Sequence, residues 1–100
     1  MKLVRNFIPQ IIKEAGKDCK YHVATLDEMK ELLYEKMIEE MQEFKDNPCI
    51  EEAADMLEVL KTVFWAHCID IEAVKVSAER KRKARGGFWE GIVLEEVIDE

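Results

Sequence analysis

The sequence predicts an all-α fold, a short-looped bundle of about four helices with a short extended C-terminal arm. Three observations carry that expectation: apolar residues recur at helical spacing through most of residues 25–85, capping and stop residues punctuate them, and the connections are too short for anything but turns. The 100 residues make one domain, 1–100. A chain this small buries only roughly 60–70% of its unfolded surface, so its stability margin is thin and association with its own copies would help.

Ile8, Ile11 and Ile12 have helical spacing, Pro9 suits a first turn, and Gly16 is a natural stop, so a short first helix is expected. Tyr21 to Ala24 has room to be extended. Thr25 and Glu28 make a capping-box pattern, opening a second helix that runs to Phe44 or Lys45. Asp46-Asn47-Pro48 is a compact break in which Asn47 reads as an N-cap and Pro48 as the first residue of a third helix ending near His67. Asp70 then caps a fourth helix, which Gly86-Gly87 ends after Arg85. Gly91-Ile92-Val93-Leu94 reads as a short strand or an arm packed on a neighbour.

Composition narrows the function classes. A hydrophobic fraction of 48% is globular, and the net charge of −7 argues against a nucleic-acid partner, whose phosphates demand surplus Lys and Arg. Cys19, Cys49 and Cys68 are odd in number, scattered, and without zinc spacing, which reads as reduced thiols in a cytoplasmic protein. The start, Met1 to Asn6, meets Pro9 before any apolar run of signal-peptide length, and no stretch approaches a membrane span.

The informative feature is a pair of misplaced acids. On a helical wheel, Met29 and Leu33 fall about 20° to either side of Glu40, inside the apolar arc, with Glu43 about 60° away. On the third helix, Val59 and Val63 flank Glu52 at about 20°, with Asp55 about 60° away in the same sense. If Asp46-Asn47-Pro48 reverses the chain, Glu43 faces the level of Glu52 and Glu40 that of Asp55, and all four carboxylates converge. Four like charges in a partly buried cleft repel one another, and a divalent cation relieves them. An oxygen-only ligand set suits Mg²⁺ or Mn²⁺ rather than zinc, and Mg²⁺ shares its coordination sphere readily with substrate phosphates. By the wheel, Glu39 and Glu51 are ordinary exposed acids, Glu39 lying within reach of a metal-bound water.

Glu39-Glu40-Met41-Gln42-Glu43 followed by Glu52-Ala53-Ala54-Asp55 resembles the EExxE…ExxD signature of the MazG-like all-α NTP pyrophosphohydrolases. Lys2-Leu3-Val4-Arg5 with Ile8-Pro9, and Arg85-Gly86-Gly87-Phe88, resemble a small single-domain branch of that superfamily. That branch is related to phosphoribosyl-ATP pyrophosphohydrolase and described as house-cleaning pyrophosphatases. The resemblance implies Mg²⁺-dependent hydrolysis between the α and β phosphates of a nucleoside triphosphate, surplus or non-standard, to a monophosphate and pyrophosphate. It implies Glu40, Glu43, Glu52 and Asp55 as metal ligands. The economical mechanism is then attack by a metal-activated water that Glu40 or Glu43 orients or deprotonates. Asn6 stands where the branch has an acid.

The run Glu79-Arg80-Lys81-Arg82-Lys83-Ala84-Arg85 has two readings: a solvated helix end whose cations suit the macrodipole, or a grip in which Lys81 and Arg85 meet the triphosphate. Arg5 is a weaker candidate for the same grip. His67 falls on the apolar arc of the third helix and reads as a packing residue. Trp65, Phe88 and Trp89 read as packing aromatics. The third helix is apolar round more than half its circumference, which predicts a homodimer or higher homo-oligomer built through it. The competing reading is a non-catalytic helical interaction module with structural acids. A di-iron bundle is disfavoured, because neither helix carries a Glu-x-x-His pair.

Overall fold

The computed structural model describes residues 1–99, all in helix or irregular backbone: α1 (Ile8–Glu14), α2 (Leu26–Asp46), α3 (Ile50–Ala66) and α4 (Ile71–Arg85). The fold class is the expected all-α. Among the described residues there is no strand, and no helix is long and apolar enough to cross a membrane. Residues 91–94, expected as a short strand or arm, are irregular and exposed, as are Tyr21 to Val23. The described chain divides after Ile69 into two units.

The first unit is built on a hairpin of α2 and α3. Thr25 Oγ1 accepts from the Glu28 amide at 3.2 Å, which satisfies one orphan donor at the start of α2. The other half of the capping box does not form. His22 Nε2 lies 2.9 and 3.1 Å from the two Glu28 oxygens and draws that carboxylate away from the Thr25 amide.

The turn between the helices departs from expectation. Asn47 ends α2 instead of opening α3: its amide donates to Glu43 O at 3.0 Å, and Cys49, in extended backbone, is the N-cap of α3. A residue before proline is disfavoured in helical conformation, so Asn47 and Pro48 together make the reversal and helix resumes only at Ile50.

The far end of α3 is closed by backbone bonds. Cys68 N–H donates to Trp65 O at 3.0 Å and Ile69 N–H to Phe64 O at 2.9 Å, the paired bonds of a Schellman motif. That motif places Cys68 in left-handed backbone, φ 57°, where glycine is the usual occupant. Gly16 fills the equivalent position after α1, at φ 81°. His67 is thus a helix-ending residue and not a packing residue of the apolar arc. It is exposed, its Nε2 shares a 2.6 Å hydrogen bond with the Tyr34 hydroxyl, and its ring stacks on that of Tyr34.

The hairpin buries little. Leu33 and Ala66 are its fully buried apolar residues, and much of the remaining apolar surface stays in water. Tyr34, Ile38 and Met41 make an exposed stripe along α2, and Ile50, Leu57 and Leu60 an exposed face of α3.

The second unit is α4 and the tail. Asp70 Oδ1 caps the helix by accepting from the Glu72 amide at 3.1 Å, and Gly86, at φ 84°, ends it. The Trp89 indole lies against Gly87, where a Cβ would meet it at 3.1 Å.

Candidate metal centre

Glu40 is the one charged residue buried among those described, 5% exposed. Its neighbours on the wheel explain this: the arc that turns Leu33 toward α3 carries Glu40 with it, two turns later. Across the hairpin, α3 presents Glu52 in its first turn and Asp55 one turn on. Ligand oxygens of Glu40, Glu52 and Asp55 all lie within 4.8 Å of one another. Glu39, Glu40 and Glu43 make a second group at the same spacing, so Glu40 belongs to both. The convergence is therefore two triads sharing a buried acid.

Three cations stand beside these acids. Lys36 Nζ is 3.2 Å from Glu40 Oε1 and 3.6 Å from Glu39 Oε1, reaching along one face of α2. Lys2 Nζ is 3.0 Å from Glu39 Oε1, and Arg5 Nη2 is 2.7 Å from Asp55 Oδ1. Five carboxylates thus meet three cations, leaving two negative charges in excess. That excess equals the charge of one divalent ion. Two carboxylate oxygens, Glu40 Oε2 and Glu52 Oε2, are buried without any hydrogen-bond partner.

The electrostatics follow the pairing. The hydrogen bond from Lys2 holds the Glu39 carboxyl below its ordinary range, and Lys2 is raised in return. Glu43 has no cation. The adjoining Glu40 carboxylate, first by hydrogen bonding and then by charge, pushes the Glu43 pKa up, with Glu52 and Glu39 adding to the effect. Glu43 also stands in the last turn of α2, where exposed carbonyls disfavour an anion, whereas Glu52 sits at the favourable start of α3.

No family model, no curated protein and no solved structure matches this chain. The chemistry of the site stands on its own residues. Buried carboxylate oxygens with no donor are costly, and an all-oxygen donor set with two negative charges in excess suits a hard divalent cation.

Lys81 and Arg85 stand on the exposed final turns of α4, beside Arg82, Gly86, Gly87 and Phe88 in an open hollow that lies wholly within the second unit. Among the described residues neither is paired with a carboxylate, unlike Lys83, which is 3.4 Å from Glu79. Sequence reasoning misses Lys36, although its place three and four residues before Glu39 and Glu40 is a usable signal. It also takes Glu39 for an exposed acid. Glu39 is half-buried because Lys2, from the far N-terminus, lies against it.

Proposed function

We propose that the chain is a Mg²⁺-dependent nucleoside triphosphate pyrophosphohydrolase whose metal is held by Glu40, Glu52 and Asp55, with Glu43 at the edge of the site; Mn²⁺ is the alternative ion. The observation that carries the reading is the buried Glu40 carboxylate, one oxygen of it donorless, grouped within 4.8 Å with two acids on the facing helix. When bound, a divalent ion supplies polarisation of phosphate oxygens and acidification of a water. The chain's own part is to fix that ion and to move a proton. Glu43 suits the proton transfer, being exposed and, among the described residues, without a cation partner. Glu40, buried and tied to Lys36, suits the fixing of the ion.

Lys81 and Arg85, which have no carboxylate partner among the described residues, are proposed as phosphate-binding residues of the second unit in a chain of net charge −7. The exposed apolar faces of α2 and α3 favour a homodimer or higher homo-oligomer that covers them. The same exposed faces favour a second reading, a non-catalytic interaction module. Incubation of the protein and Mg²⁺ with a panel of nucleoside triphosphates separates the two. Monophosphate with pyrophosphate supports the enzyme; diphosphate with orthophosphate means attack at the γ-phosphorus and a different enzyme. No cleavage of any nucleotide leaves the module.

A further inference from the structure

Lys2, Arg5 and Lys36 each cover one or two carboxylates of the cluster, but they are not held alike. Lys36 is fixed in the middle of α2, whereas Lys2 and Arg5 lie on residues 1–7, ahead of any helix. Met1, Lys2 and Leu3 lie over α2, lining a shallow cleft with Leu32, Lys36 and Glu39. Of the backbone carbonyls in this stretch, Arg5 O accepts from Ile8 N at 3.1 Å and Phe7 O from Ile11 N at 3.0 Å. Among the described residues, positions 1–4 make no backbone hydrogen bond and can shift without breaking a helix, while Arg5, whose carbonyl holds Ile8, can turn its side chain.

We propose that residues 1–5 form a cationic clasp that lies on the carboxylates of the cluster through Lys2 and Arg5 and turns those side chains to the phosphates of a polyphosphate ligand once a divalent ion is in place. The proposal rests on the metal-centre reading and adds to it how the charge of the acids is offset and how an anion is recruited. Three observations support it. Glu40 is more than nine-tenths buried with one oxygen lacking any donor, so the protein's own cations leave the cluster unfinished. The Arg5 and Lys2 side chains are 60% and 62% exposed, which keeps their outward donors open to solvent. Arg5 contacts Asp55 through Nη2 alone, leaving the rest of a guanidinium fork, the geometry that grips a phosphate by two parallel bonds.

The clasp predicts effects of opposite sign from one substitution. A fixed positive charge beside the carboxylates opposes a metal ion and attracts a phosphate. Titration calorimetry on the full chain, first with Mg²⁺ alone and then with pyrophosphate at saturating Mg²⁺, reads both. Arg5→Gln is expected to tighten Mg²⁺ about tenfold, from Coulomb repulsion of a charge a few ångströms away, and to weaken pyrophosphate by a similar factor. Lys2→Gln should move both in the same senses by less, and Arg5→Lys should fall between wild type and Arg5→Gln in pyrophosphate affinity. Lys61→Gln, an exposed cation on α3 outside the cluster, should move neither. If Arg5→Gln and Lys2→Gln leave both affinities unchanged, or weaken both as damage to the fold would, the clasp is overturned and the metal centre stands. A wild-type chain that takes up no Mg²⁺ overturns the metal centre and the clasp with it.

Discussion

Lys36 holds one oxygen of Glu40 at 3.2 Å and leaves the other without a partner. A carboxylate meant only to brace a helix would have both oxygens answered or turned to water. Glu40, 5% exposed and beside two further acids, has one oxygen answered and the other buried without a partner.

The first consequence is metal-linked stability. Millimolar Mg²⁺ or Mn²⁺ should raise Tm by mass action, and EDTA should return it to the ion-free value. Glu52→Gln should abolish the effect, because it removes a donor from the buried group, whereas Glu58→Gln on exposed α3 surface should keep it. Thermal melts of the three proteins with each ion decide the matter.

A pH dependence follows from Glu43. Its folded-state pKa lies above the ordinary 4.5, so the folded chain keeps this proton where the unfolded chain has lost it. By linkage, this group's contribution to stability is full below 4.5 and is lost as pH rises through the raised value. Glu39 runs the other way: its pKa is lowered, so its contribution is present above 4.5 and is lost as pH falls through the lowered value. Ion-free melts taken upward from pH 4.5 should show a declining component that Glu43→Gln removes. Added Mg²⁺ should stabilise more as pH rises, since it competes with the same proton.

Turnover should fail in a way that shows the acids act together. Glu40→Gln and Asp55→Asn should each lower kcat by about a hundredfold or more, and the double variant should be little worse than either single one. Lys81→Ala should raise KM more than it lowers kcat if it only grips phosphate. Steady-state kinetics with pyrophosphate detection gives all four values, and strictly additive losses would argue against a shared ion.

Much of this arrangement is legible in the sequence, and what is not has physical reasons. The helices and the burial of Glu40 follow from periodicity, because a residue seven after Leu33 and four before Phe44 must share their face. The chain reversal is harder to read, since Asn-Pro serves equally well as a helix stop or a helix start, and the structure uses it as a stop. His67 escapes the wheel because it lies one residue past the end of α3, where the helical period no longer applies. Nothing local encodes the meeting of Arg5 with Asp55, fifty positions away.

Cys68 offers a test of the backbone alone. A non-glycine residue in left-handed conformation costs about 1–2 kcal/mol, and glycine relieves it while loosening the unfolded chain. Cys68→Gly should therefore be stabilising, by up to about 1 kcal/mol in urea titration, despite removing a side chain. Destabilisation would mean that the added freedom of the unfolded chain outweighs the strain relieved at this position.

Assembly should depend on the exposed apolar faces. Val63 and Phe64 are half-buried within the hairpin's own unit, so a charge there tests folding, whereas Leu57 is half exposed. Leu57→Asp should yield a folded monomer by sedimentation at micromolar concentration, with wild type sedimenting as a dimer or larger. A monomeric wild type would remove the oligomer from the proposal and leave the metal centre untouched.

The turn at Asn47 and Pro48 has a further consequence for the acids beside it. Glu43 and Glu52 stand on either side of one tight reversal of the chain, so covalent connection limits how far they can part. The turn restricts how far their repulsion can part the helices at that end, and the Tyr34–His67 bond joins the helices toward the opposite end. In the proposed metal centre the ligands are therefore held close together before an ion binds, and little chain entropy remains to be lost on binding. Affinity in such a site is decided by charge and coordination geometry, and a longer, looser connection between α2 and α3 should weaken ion binding without altering a single ligand.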